Sequence, residues 1–137
     1  MNCFTANHID FSKNFEKVQP FFDNLNNFSF IMPEQVENWQ SDESRCSFFI
    51  KNLGNLGMRK GQFLIPDHYT FVSNDESRVD FVLHFYVKSR TGIEKNGYFE
   101  ICADLNPMIE MMARRPLTNF VNILTANLHD YLNGKTN

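Results

Sequence analysis

Four histidines, three cysteines, two alternating carboxylates and a methionine-rich turn are the side chains of this sequence with the most chemistry to offer. His8, His68, His84 and His129 lie far apart, and none stands in an H-x-x-x-H or H-E-x-x-H spacing, so the pattern supplies no metal ligands. His84 shares a strand face with Asp80, Val82 and Tyr86. With Phe81, Leu83 and Phe85 turned inward, that face meets solvent, which favours a surface histidine over a general base. The alternation around His68 leaves its side open. Glu100 and Asp104 alternate with Phe99, Ile101 and Ala103, which puts both carboxylates outside any interior and gives a paired-carboxylate mechanism little support. Cys3, Cys46 and Cys102 are odd in number, widely spaced and without a C-x-x-C pair. That argues against a disulfide framework or a zinc site and for a reducing compartment, with the thiols acting as small buried apolar groups. No G-x-S-x-G elbow marks a nucleophile. Gly54 and Gly57 lack the Lys-Ser/Thr that completes a phosphate loop and suit a bulged turn instead. No catalytic residue is named, and no cofactor is expected.

Met108, Met111 and Met112 carry flexible thioethers. They could reshape around varied apolar guests, or fill a gap between a helix and a sheet. Arg114 and Arg115 could meet an anionic head group, or remain a solvated pair ahead of Pro116.

The elements that must position these groups follow from composition and periodicity. At 137 residues the chain fits one domain with a real core. Phe occurs 15 times within an apolar share of 42%, so rigid rings supply that core. The net charge is −3 with Lys and Arg scattered, which points away from nucleic acid. The start, Met1-Asn2-Cys3-Phe4, has no basic and apolar leader, and no window approaches the ~18 apolar residues of a membrane span. A cytoplasmic protein, not an integral membrane one, is expected.

Alternation over 3–11 suits a first strand. Ser12 offers an N-cap, and Phe15, Val18, Phe22 and Leu25 recur at helical spacing. Pro20 is expected to kink or split this stretch into two short helices, the second near 25–31. Strands are expected near 36–41, 45–52, 56–65, 68–73, 79–89 and 95–105, joined by short polar turns and therefore antiparallel. Leu117, Phe120, Val121, Leu124, Leu128 and Tyr131 form the apolar stripe of a closing helix that Gly134 ends, leaving 135–137 frayed. Nine residues separate Met108 from Leu117. At ~100° per residue the methionines would face away from the stripe on one straight helix, so a kink or break at Pro116 is expected, with 107–115 a separate short helix or turn.

This order of elements, with Phe21-Phe22-Asp23-Asn24-Leu25-Asn26-Asn27-Phe28, Met32-Pro33-Glu34-Gln35-Val36-Glu37-Asn38-Trp39 and Ala103-Asp104-Leu105-Asn106-Pro107-Met108, resembles the START-like (SRPBCC) superfamily. That superfamily includes polyketide cyclase/dehydrase, lipid-transfer and pollen-allergen types, and the quoted segments resemble its small bacterial members of unassigned function. The resemblance implies an α+β helix-grip fold: a curved antiparallel seven-stranded sheet wrapped around a long C-terminal helix, with two short helices after the first strand. It also implies a hydrophobic cavity between sheet and helix. The expected lining is Phe48, Phe71, Phe81, Leu83, Phe85, Phe99 and Ile101 from the sheet, with Met108, Met112, Leu117, Phe120, Val121 and Leu124 from the helical end. Three functions follow as expectations: a carrier of a hydrophobic small molecule such as a lipid or polyketide, a cyclase/dehydrase-type enzyme, or an interaction module whose core is filled by Phe.

Overall fold

A computed structural model describes residues 1–135; of the tail expected to fray, residues 136 and 137 lie outside them. The chain runs β1 (Asn2–Thr5), β2 (Ile9–Asp10), a 3-10 turn (Phe15–Lys17), α1 (Val18–Phe22) and a second 3-10 segment (Leu25–Phe30). It continues through β3 (Glu37–Ser41), β4 (Arg45–Ile50), β5 (Gly54–Leu64), β6 (His68–Ser73), β7 (Phe81–Lys88) and β8 (Asn96–Ala103), and closes with α2 (Pro107–Leu132). The strands form one curved antiparallel sheet in the order β1-β8-β7-β6-β5-β4-β3, with β2 also on β8. The architecture is the expected α+β helix-grip.

The sheet has eight strands, not seven, because the first strand is interrupted. Between β1 and β2, side chains of α2 replace ladder partners. Asn7 N–H donates to Asn122 Oδ1 at 2.8 Å, and Phe99 N–H donates to the buried Thr125 hydroxyl at 3.1 Å. That hydroxyl donates in turn to the Val121 carbonyl at 2.8 Å. The Asn7 and Phe99 donors thus keep partners where the ladder is interrupted, as buried backbone groups require.

Curvature comes from irregular pairing. The β5–β6 register shifts between Lys60 and Phe63. Thr70 Oγ1 covers the backbone freed there, accepting from Gln62 N–H at 2.7 Å and donating to the Gln62 carbonyl at 2.9 Å. A side chain at Gly61 would place its Cβ 2.5 Å from that same oxygen, so the bulge requires glycine. Along β7 and β8 the alternation holds as expected, and β4 follows the same parity. Cys46, Phe48, Ile50, Phe81, Leu83, Phe85, Phe99, Ile101 and Ala103 are all buried.

Pro20 does not split its helix. It sits in the first turn of α1, where backbone N–H groups have no intrahelical partner and a missing donor costs little. The division falls after Phe22, at Asn24, whose side chain accepts from Asn26 N–H at 3.0 Å and caps the second 3-10 segment.

α2 is capped by Asn106, which accepts from Ile109 N–H at 2.9 Å, with Pro107 in the first turn. It lies over β8, β1 and β2, and its Phe120 stacks on Phe48 of β4 at 5.8 Å. It ends as expected at Gly134 (φ 78°), and Lys135 N–H donates to the Asp130 carbonyl at 2.8 Å, so the backbone is held at least that far. The expected break at Pro116 is absent: α2 is a single helix of 26 residues. The half-turn offset therefore has its other consequence, and Met108, Met111 and Met112 face outward at 73%, 78% and 50% exposure.

Candidate functional site

Eleven of the thirteen residues expected to line a cavity meet in the space between sheet and α2. Phe48, Phe71, Phe81, Leu83, Phe85, Phe99, Ile101, Leu117, Phe120, Val121 and Leu124 are each at most 3% exposed and belong to one continuous core. Met108 and Met112 are corrected to the outer surface of α2, for the geometric reason given above.

The short helices reach that same space. α1 and the second 3-10 segment send in Phe21, Phe22, Leu25 and Phe28. The Phe22 ring sits 5.0 Å from Tyr69, 5.3 Å from both Phe71 and Phe85, and 6.0 Å from Phe99, with Phe28 5.8 Å away. Most of these contacts are edge-on or tilted, the packing that aromatic quadrupoles favour. Phe22, Phe28, Phe71, Phe85, Phe99, Val121 and Leu124 present 0% of their surface to water. A Phe-filled core was one of the three expectations; what the sequence did not show is that Phe21, Phe22, Leu25 and Phe28 of the short helices supply the filling, although Phe22 and Leu25 carried a signal in their helical spacing.

One opening of about 570 Å³ is polar and lies away from α2, among Arg45, Arg59, Asn74, Glu76 and Asp80; three more lie on the outside of α2, in a row along the helix. The first of these three, of about 390 Å³, is formed by Met111, Arg114, Arg115, Thr118 and Asn119. A second, of about 480 Å³, lies between Ile123 and Asn127 of α2 and the 30–35 segment. A third, of about 340 Å³, lies between Tyr131 at the helix end and Phe21 of α1, beside Lys17. Phe30, 58% exposed, stacks on Tyr131 at 5.1 Å between the second and third. Glu110 pairs with Arg114, so of the two arginines Arg115 is the one left facing the first hollow without that partner.

The convex face of the sheet gathers the other polar side chains. His68 lies on it, opposite Tyr86, which settles the register that alternation left open. His68 Nε2 and His84 Nδ1 are hydrogen-bonded at 2.9 Å. His68 also stacks on Tyr86 at 4.3 Å, and His8 on Tyr98 at 4.0 Å. Burial lowers the pKa of His68, and the nearby Lys88 lowers it further. Burial and the His68 charge do the same to His84. Burial raises the Tyr86 and Tyr98 phenols, with Glu100 adding to it. His84 is thus on the face expected, but is half-buried within an aromatic layer rather than freely solvated. Cys46 is buried in the core, where desolvation pushes its thiol up to about 12, so it has no nucleophilic character at neutral pH.

The cysteine expectation is corrected. Cys3 and Cys102 are bonded to each other across β1 and β8, directly opposite in register with Cα atoms 4.0 Å apart. This is the narrow kind of antiparallel position, where side chains meet most closely. Spacing could not reveal a pair 99 residues apart. Parity held a hint, since Cys3 shares its strand face with Thr5 as Cys102 does with Glu100, all on the outer face. With the bond present, cysteine count no longer argues for a reducing compartment. No helix among the described residues is long and apolar enough to cross a membrane.

Fold and packing together define a helix-grip domain with a filled interior. No family model matches the chain, and no curated protein does. Solved structures do. A Deinococcus radiodurans protein superposes with a TM-score of 0.59 at 9% identity, over 96% of this chain and 95% of that one. A putative uncharacterized protein from Bacillus thuringiensis gives 0.56 at 12% identity, over 93% and 99%. A Chromobacterium violaceum protein gives 0.54 at 12% identity, over 92% and 96%. These likenesses establish the fold across the length of the chain.

Proposed function

We propose that this chain is a divergent START-like domain that acts as a binding module for apolar groups, and that it binds them along the outer surface of α2. The observation that carries this reading is the reversal of inside and outside. The interior that would hold a guest is occupied by rings from α1 and the following 3-10 segment, whereas hollows edged by Met111, Ile123 and Tyr131 open in a row along the helix. Exposed methionines suit such a surface, because an unbranched thioether adapts to differently shaped apolar partners at little cost. Arg115 beside the first hollow favours a partner with an anionic end. The acidic net charge supports no role with nucleic acid.

The carrier and cyclase/dehydrase readings place the guest between sheet and helix, and one experiment separates them from this one. With methionine methyl groups labelled, a naphthalene sulfonate or a fatty acid is titrated and the methyl resonances are followed. Met58 is fully buried on β5 and reports on the interior, while Met108, Met111 and Met112 report on the outer helix. Shifts at the outer three and at Met32, which lines the second hollow, with Met58 unmoved, are the expected result. Movement of Met58 would restore the internal carrier, and no movement at all would remove apolar binding altogether.

A further inference from the structure

Away from α2, at the sheet edge, three ligating groups converge. Cys3 of β1 and Cys102 and Glu100 of β8 all point to the convex face, with their sulfur and carboxylate atoms within 4.8 Å of one another. Glu100 Oε1 lies 3.5 Å from Cys102 Sγ. The other oxygen, Oε2, accepts from the Thr5 hydroxyl at 2.7 Å. The carboxylate is thus held from behind by one neighbour with its free oxygen turned toward the sulfur, as second-shell hydrogen bonds orient metal ligands.

We propose that the reduced form of this cross-strand pair, with Glu100, is a binding site for a thiophilic divalent cation of the zinc class, and that forming the disulfide abolishes it. On a tetrahedral zinc, with Zn–S about 2.3 Å and Zn–O about 2.0 to 2.1 Å, a sulfur and an oxygen ligand stand roughly 3.5 Å apart, which is the separation already present. Cleaving the S–S bond lets the two sulfurs part toward van der Waals contact, close to the ~3.8 Å that two thiolates keep on one such ion. Opposed positions on neighbouring strands keep both sulfurs on the same side. β1 is an edge strand and Cys3 is exposed, so water can enter to fill the fourth position.

The chemistry balances in two steps. A dithiol reductant delivers two electrons and two protons to the Cys3–Cys102 bond and leaves as its own disulfide, giving two thiols. The cation then binds both sulfurs and displaces their two protons, while the Glu100 carboxylate contributes the third bond without proton release. Cys46 is sealed in the core and takes no part. The site is therefore present only in the reduced protein, and the bound cation shields the thiolates from reoxidation.

The test uses the full chain, reduced with a phosphine that is then removed under inert gas, and cobalt(II) as a spectroscopic stand-in for zinc. One equivalent should give the sulfur-to-cobalt charge-transfer band and tetrahedral visible absorption, displaced by zinc. The oxidised protein should give neither. C3S and C102S should lose the band, E100Q should weaken binding by about tenfold or more, and H68A/H84A should leave it unchanged. The oxidised wild type keeps the comparison valid even where a cysteine variant folds poorly. A reduced protein without the thiolate band, or a band that survives in C3S or disappears only in H68A/H84A, would overturn the assignment.

Discussion

Reduction of the Cys3–Cys102 bond offers the sharpest measure of how firmly the edge strand β1 is tied to β8. The bond closes a loop of 99 residues, about three quarters of the described chain. Loop-closure entropy for that length comes to about 16 cal/mol/K, or about 4.7 kcal/mol at 25 °C, removed from the unfolded ensemble. An unfolding entropy of ~2.1 cal/mol/K per residue gives about 290 cal/mol/K for 137 residues, so the melting temperature should fall by about 16 °C on reduction. β1 keeps its ladder with β8 after reduction, so the change should be seen in the unfolding midpoint and not as loss of the fold. Thermal melts of the oxidised and phosphine-reduced protein, both in chelator, measure it. A C3S/C102S double variant should melt with the reduced form. Oxidised and reduced proteins melting within about 3 °C of each other would refute the loop-closure reasoning.

Replacing Phe22 with alanine empties the centre of the aromatic core and should cost about 3 to 5 kcal/mol in urea unfolding, more than any exposed phenylalanine such as Phe30. T125V keeps the volume but leaves the Phe99 N–H without its acceptor, and should cost about 1 to 3 kcal/mol with amide exchange at Phe99 accelerated. His68 and His84 carry pKa values below the ordinary 6.5, so the unfolded chain binds more protons than the folded one as pH falls below that value. Their contribution is intact above pH 6.5 and is lost as pH drops through their folded pKa values. Unfolding free energies measured from about pH 7.5 to about pH 5 should fall more steeply in the wild type than in H68Q/H84Q, and equal slopes would count against the burial assigned to this pair.

Alternation carried most of the fold. Inward and outward residues of β4, β7 and β8 follow from sequence parity alone, because a half-buried strand cannot shift by one residue without exposing its core face. Pro116 shows where the reading failed. The half-turn offset between the methionines and the Leu117 stripe was sound, but it admits either a broken helix or an exposed patch. Pro116 offers no N–H to the Met112 carbonyl, a deficit that water can meet on the solvent side of a helix, so the continuous helix prevailed. Met108 and Met112 changed sides as a result. Whether the rings fill the interior or only wall it stayed open for a different reason. Helical spacing marks Phe22 and Leu25 as apolar, but says nothing of how deeply a short helix leans into a sheet. The Cys3–Cys102 pair and Thr125 were hidden because both depend on β1 and α2 meeting β8 at one register, and no local pattern encodes that distance.

Phe22 and Phe28 arrive from short segments that belong to neither the sheet nor the long helix, and this has a bearing on what the architecture could become. They act as a stopper in a vessel whose walls are built independently. Cutting both rings back to methyl groups would leave a dry chamber walled by Tyr69, Phe71, Phe85 and Phe99, comparable to the ~150 Å³ apolar voids that admit benzene or xenon. A receptacle for small aromatics is thus two substitutions from this sequence, and the cross-strand bond offers stability against which that loss of packing can be set.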